Sequence, residues 1–297
     1  MDSSITWQRL SYANSSYMRG AIEELHHAAL NLAALGHSFL PRAEENGQWG
    51  MRWSYSLQAL LSRTIHLNLP VRLALLYPSF ELRFVDAQEH ALASLKLDGL
   101  SQPKVNAWLM QSLAYLGNRG QRLRKIEDFS LPRHPLDSGS PFRKPSSGSL
   151  EELARYRHNA VMILTEFAGH FERPGSVRTW PQPFETRVQI PVGIDPERSE
   201  GKALVLGLGV SDGKGKDCYF YVRPAGEKPV RIPAYEEFPA LPGGKWSPKE
   251  NLQALLSIDE VLEAESASEQ YELTRSFFRT AINACLRFMQ EGTRVLR

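Results

Sequence analysis

No apolar run in this sequence approaches the eighteen or so residues that a membrane-spanning helix requires, and the opening MDSSITWQRL has neither a basic nor an apolar stretch of the secretory kind. These absences lead to the expectation of a cytoplasmic protein with no membrane partner. Cysteine is scarce as well: Cys218 and Cys285 stand far apart, and no C-x-x-C occurs. Cys218 falls in a strand pattern and Cys285 on the apolar face of a helical one, so both read as buried thiols. An excess of one charge is also missing, since 35 Lys+Arg against 33 Asp+Glu leave a formal +2. That balance alone announces no polyanionic partner. Basic residues concentrate only in NRGQRLRK (118–125) and FRKP (142–145), within a stretch that reads as a linker rather than beside aromatic platforms. Nucleic acid is therefore disfavoured as a partner.

Chemical signatures are missing too. Eight histidines occur, but none in H-E-x-x-H or H-x-H spacing. His26 and His27 are adjacent and point to different helix faces. His26 and His37 share a stripe, yet eleven residues at 1.5 Å rise separate them by roughly 16 Å. No metal and no cofactor is expected. GLGVSDGKGKD (207–217) lacks the Ser or Thr that follows Gly-Lys in a phosphate loop and runs into a strand pattern, CYFYV. It reads as a hairpin turning at Asp212-Gly213. Gly207 and Gly209 strip one face of the preceding strand while Leu204, Leu206 and Leu208 pack on the other, so a helix, or alternatively a ligand, is expected against the bare face. There is no G-x-S-x-G either.

What the sequence does contain is periodicity. Met18, Ile22, Leu25, Ala29 and Leu32 recur at helical spacing over 17–35, with Gly36 read as the C-cap. β-Forming segments follow at 51–61, 71–77 and 80–86, where Phe80, Leu82 and Phe84 alternate, with 91–99 as a further strand. A helical pattern at 104–117 ends in Gly117. Residues 118–148, rich in Gly, Pro, Ser and Arg, read as a basic linker or a long surface loop. Ser149 with Glu152 reads as a capping box opening a helix that ends at Gly169. Strand patterns at 184–192, 202–210, 218–224 and 229–234 come next, and then a helix over 266–289 capped by Ser266 with Glu269. The expected fold is α+β, in two related halves, 1–117 and 149–297, each an antiparallel sheet with helices packed on one face.

The halves share an order. ALGHSFLP (34–41) and FAGHFERP (167–174) both close a helical pattern with Gly-His, Phe and Pro, and each leads to an Arg and a Trp: Arg52-Trp53 in the first, Arg178 and Trp180 in the second. An internal duplication is the expectation. EELHHAAL with His26, the strand and turn FELRFVDAQEHALASLKLDG (80–99) with His90, CYFYVRPAGEKP and LLSIDEVLEAES together resemble an uncharacterised bacterial family of similar length, duplicated and of α+β type. The resemblance implies the same fold and brings in His26 and His90 as ligand-binding candidates. It carries no established activity. Gly36-His37 and Gly169-His170 stand where that family has Gly-Lys, and residues 177–180 stand where it has His-Phe-Phe-Trp, which implies an altered or lost activity.

Two readings of the repeated residues remain open. In one, a groove between the halves binds a small anionic or aromatic molecule: His37 and His170 serve as acid or base, Arg52 and Arg178 clamp an anion, and Trp53 and Trp180 form an apolar wall. In the other, glycine caps each helix, histidine answers the negative end of the dipole, and tryptophan fills the core. A non-catalytic protein–protein interaction module is the rival function.

Overall fold

The computed structural model describes residues 6–11, 15–42, 44–124, 126, 134–192, 202–210, 218–226, 238–247 and 252–289. The fold is α+β, built on two antiparallel sheets. The chain divides into two compact units: an N-terminal unit of Ala13–Ala154 with Arg178–Phe184, and a C-terminal unit of Met1–Tyr12, Arg155–Val177 and Glu185–Arg297.

The N-terminal unit begins with α1 (Ser15–Phe39) and a 3₁₀ turn, Glu44–Trp49. The sheet follows: β1 (Arg52–Ser54), β2 (Ala59–Leu61), β3 (Ile65–His66), β4 (Pro70–Leu76), β5 (Glu81–Val85) and β6 (Ala91–Lys96), in the order β1-β2-β4-β5-β6, with β3 paired to β4. The segment expected as one strand over 51–61 is a hairpin, turning where Gln58 takes a positive φ of 47°. Leu60 opposes Leu75 and Leu75 opposes Leu82, so leucines line one face, while Ala59, Leu61, Ala74, Leu76 and Val85 cluster on the other. With both faces apolar, the strands show little of the alternation that a half-solvated sheet would display. α1 packs against β4, and Trp108 of α2 (Gln102–Tyr115) meets Phe84 at 5.6 Å. α3 (Ser147–Ala168) starts in this unit and continues into the other.

Gly36 does not end α1. The helix runs on to Phe39, and Leu40 donates to the Gly36 carbonyl at 3.0 Å. The residue is glycine because the 3₁₀ turn crosses there: a Cβ at position 36 would lie 2.0 Å from the Gln48 carbonyl oxygen. Gly117, by contrast, follows α2 with φ 104°, as a glycine past a helix end does. The cap of α3 is Ser146 rather than Ser149, since Ser149 N–H donates to Ser146 Oγ at 3.2 Å. The described part of 118–148 belongs to the N-terminal unit and is tied to the rest of it. Arg124 N–H donates to Ser38 Oγ at 2.7 Å, and the fully buried Phe142 packs edge-on against Phe80 and exchanges backbone bonds with Gly99 and Leu100.

β7 (Arg178–Thr179) belongs to the N-terminal unit by its contacts. The C-terminal unit holds β8 (Thr186–Pro191), β9 (Ala203–Gly209), β10 (Tyr219–Ala225), β11 (Lys245–Ser247) and β12 (Gln253–Ser257), in the order β11-β12-β10-β9-β8, followed by α4 (Ile258–Leu262) and α5 (Ala267–Met289). The expected strand at 229–234 lies outside the described residues. Ser266 and Glu269 form the expected capping box of α5, with reciprocal bonds of 3.2 and 2.9 Å. Phe278 of α5 meets Phe220 of β10 at 5.7 Å and Phe167 of α3 at 5.5 Å. Residues 6–11 are held by two side-chain amides acting as a neighbouring strand would. Asn159 accepts from Gln8 N–H at 2.8 Å and donates back to its carbonyl at 2.7 Å, and Gln270 does the same for Leu10 at 2.8 and 3.0 Å.

The bare face made by Gly207 and Gly209 is filled by neither a helix nor a ligand. Tyr221 and Tyr219, directly opposite on β10, lay their rings across it, and a Cβ would meet them at 2.6 and 2.7 Å. Among the described residues no helix is long and apolar enough to cross a membrane.

The two Gly-His glycines should respond differently to substitution. Gly36→Ala is expected to cost roughly 1–3 kcal/mol in urea unfolding, because the colliding atom is backbone and cannot yield. Gly169→Ala, whose nearest neighbours would be carbonyls at 3.3 and 3.4 Å, should cost less.

Candidate functional site

One antiparallel bridge decides which of the singled-out residues meet. Met51 N–H donates to Thr179 O at 2.9 Å, and Thr179 N–H donates to Met51 O at 2.8 Å. In such a mutually bonded pair the next residues along each strand face each other, their side chains on one side. Arg52 therefore faces Arg178, and Gly50 faces Trp180. The Arg178 methylenes run past Gly50, where a Cβ would stand 3.4 Å from Cγ. The segment beyond β7 is held by α1: His26 Nε2 donates to Pro181 O at 2.6 Å, and its ring stacks on Phe184 at 4.7 Å with planes 4° apart.

Arg52 also meets a carboxylate. Its NH2 lies 2.8 Å from Glu89 Oε1, while the other carboxylate oxygen accepts from Ser54 Oγ at 2.5 Å and Ser56 Oγ at 2.8 Å. Glu89 reaches back because its backbone is left-handed, φ 70°, at the end of a loop organised by Asp86. Asp86 Oδ1 accepts from the N–H groups of Gln88 and His90 at 2.8 and 2.9 Å, and Oδ2 pairs with His90 Nδ1 at 3.2 Å. Burial pulls the Glu89 pKa upward, but the bonds from Ser54, Ser56 and Arg52 outweigh it and leave the carboxyl below its ordinary value. Arg72 donates to the carbonyls of Asp86 and Ala87 at 3.1 and 2.9 Å and stands 3.9 Å from Glu89.

Arg178 has no such relief. It is half-buried, and its guanidinium makes no ion pair or hydrogen bond to another described residue. Burial first, then the charges of Arg63 and Arg52, depress its pKa below the arginine norm. The guanidinium stays charged regardless. Like charges facing across paired strands are unfavourable, so this arrangement is a local cost to the fold.

The other sequence candidates have separate surroundings. Trp53 is 5% exposed, on the strand face opposite Arg52, edge-on to Tyr77 at 5.2 Å; its Nε1 has no hydrogen-bond partner among the described residues. His90 is exposed on the Asp86 loop. Trp180 is half-buried, two residues along from Arg178. His37, in the last turn of α1, accepts from Trp49 Nε1 at 3.4 Å. His170 is exposed after α3, its ring 6.1 Å from Phe167, in the C-terminal unit. The N-terminal unit thus gathers Arg52 and Arg178 into one cluster and ties His26 to the segment that carries Arg178. Glu89, Ser54, Ser56 and Arg63 were not singled out by sequence reasoning. The only local signal for Glu89 was the Asp86 turn at the end of an apolar strand.

A second cluster in the N-terminal unit is formed by histidines. His27 stacks on His134 at 4.1 Å. His134 Nδ1 accepts from Leu136 N–H at 3.3 Å, capping the 3₁₀ turn Pro135–Ser138, and Nε2 lies 3.8 Å from Glu24 Oε1. Burial, then the neighbouring His134 and His26, push the His27 pKa down to about 4. Burial also lowers that of His134. Among the described residues no group of three or more His, Cys, Asp or Glu is arranged to hold a metal ion. Both cysteines are buried, and burial drives the Cys285 thiol up to about 12.

Comparison with known protein families, with curated proteins and with solved structures gives no match in any of the three.

Because His27 and His134 have folded pKa values below the unfolded value of roughly 6.5, their neutral forms stabilise the fold above that pH. That contribution is lost progressively as pH falls from about 6.5 toward about 4. Melting temperature should therefore decline on acidification through this window, and His27→Phe, which keeps a stacked ring without a titrating group, should flatten the decline.

Proposed function

We propose that the chain binds a small anionic molecule at the arginine cluster of the N-terminal unit, with Arg178 and Arg52 as the facing clamp and Arg63 beside them. The observation that carries this reading is Arg178: a half-buried guanidinium with no carboxylate partner among the described residues and with other arginines as its charged neighbours. A fold that tolerates this repulsion gains most when an anion enters. Arg52 spends one N–H on Glu89, and a guanidinium carries five, so donors remain on both arginines. Trp180, half-buried, alternates onto the same side as Arg178. Glu89, saturated by hydrogen bonds and held ionised, supports binding rather than proton transfer.

Arg178→Gln separates this reading from a purely structural one, and from that of an interaction module without a ligand. Removing the facing charge should raise the melting temperature of the ligand-free protein by about 1–3 °C. It should also abolish the stabilisation that phosphate or carboxylate gives the wild type. A variant that melts lower yet keeps its anion response would contradict the proposal.

A further inference from the structure

Residues 6–11 are held by bonds that any copy of the same segment could make. We infer that this segment is an exchangeable arm, and that the seat built for it on α3, α5 and β10 takes residues 6–11 of a second copy of the chain. The inference is independent of the anion site. The seat reads main chain: Asn159 pairs with both backbone groups of Gln8, Gln270 pairs with both of Leu10, and His158 Nε2 donates to the Thr6 carbonyl at 2.9 Å. Three alternate residues are thus bonded as a partner strand would bond them, which is how grooves and sheet edges take peptides from another molecule. Two side chains anchor the arm. Trp7 is buried 6.3 Å from Phe220 and 6.0 Å from Tyr271, with its Nε1 donating to Gln270 Oε1 at 3.4 Å, and Leu10 is buried as well. Arg9 and Ser11 are exposed and border an open cavity of about 690 Å³ together with Arg155 and Glu265.

Two observations make a second copy the occupant. The amides of Asn159 and Gln270 are fully buried under the arm, so a vacated seat would wet both of them and the aromatic wall against Trp7. A segment with the same anchors in the same register avoids that cost, and another copy of the chain carries one. Connectivity supplies the second observation. The arm belongs to the C-terminal unit, α1 belongs to the N-terminal unit, and only residues 12–14 separate the arm from the first residue of α1, Ser15. A connection this short restricts how the arm reaches its own seat. Exchange between copies keeps every bond and lifts that restriction, which makes it a low-cost route to a dimer.

The test uses the full chain with thiols placed on its surface; both native cysteines are buried, so a maleimide reads the introduced ones. A chain carrying Arg9→Cys is mixed with a chain carrying Glu265→Cys and treated with a short bis-maleimide once exchange has equilibrated. Both positions are exposed and line the same cavity, so neither substitution disturbs packing. A chain carrying both substitutions should cross-link within itself, which establishes reach. The mixture should yield a covalent heterodimer at least about tenfold above that obtained when Lys104→Cys, exposed on α2, replaces Glu265→Cys. Adding Trp7→Ala and Leu10→Ala to the Arg9→Cys chain should reduce the yield to that background. Lengthening the connection with Gly and Ser between Tyr12 and Ala13 should lower the heterodimer yield and keep the internal cross-link. An internal cross-link without a heterodimer, or a heterodimer no more abundant than the Lys104→Cys control, would overturn exchange. Failure of the doubly substituted chain to cross-link would overturn the seat itself.

Discussion

Two backbone hydrogen bonds, exchanged between Met51 and Thr179, fix the arrangement on which the functional reading depends. They join residues more than a hundred positions apart and bring the segment Arg178–Phe184 into the N-terminal unit. Their register makes Arg52 and Arg178 face each other. Side-chain energetics alone would oppose that pairing, and the backbone ladder enforces it. His26 reinforces the segment from α1 through the Pro181 carbonyl and the stack on Phe184. What results is one arginine neutralised by Glu89 beside another that is not.

Local pattern made much of the architecture legible. Helical period located α1, α2 and α5, and the Ser266 box marked the start of α5 because a cap is written within four residues. Runs of β-formers located β4, β5, β6, β8, β9 and β10. The start of α3 was misread locally, by three residues, whereas the two glycine misreadings were non-local. Gly36 reads as a helix stop, yet the helix passes through it, because the constraint is the Gln48 carbonyl of a later turn. Gly207 and Gly209 read as an invitation to a helix or a ligand, yet their partners are Tyr221 and Tyr219 on the next strand. Short strands such as β3, β7 and β11 hold too few residues to show a period.

The candidate site was legible in its residue types and not in its composition. Arg52, Arg178 and Trp180 were visible as a repeated pattern, and the two arginines do come together. They meet within one unit, across a bridge, while His37 and His170 belong to different units and Trp53 faces the core. Glu89 escaped notice because its importance lies in a left-handed backbone angle and in hydroxyls from β1 and the turn after it, none of which has a sequence period. The histidine stack of His27 and His134 escaped for the same reason: its members are joined only by tertiary packing.

The central claim is that Arg52 and Arg178 jointly hold a bound anion. Side-chain guanidinium resonances followed by NMR during titration with phenyl phosphate address it most directly. The account predicts that the Nε–H signals of both arginines shift together and saturate at one common dissociation constant. An Arg178 signal that stays in place while the ligand binds elsewhere would contradict it.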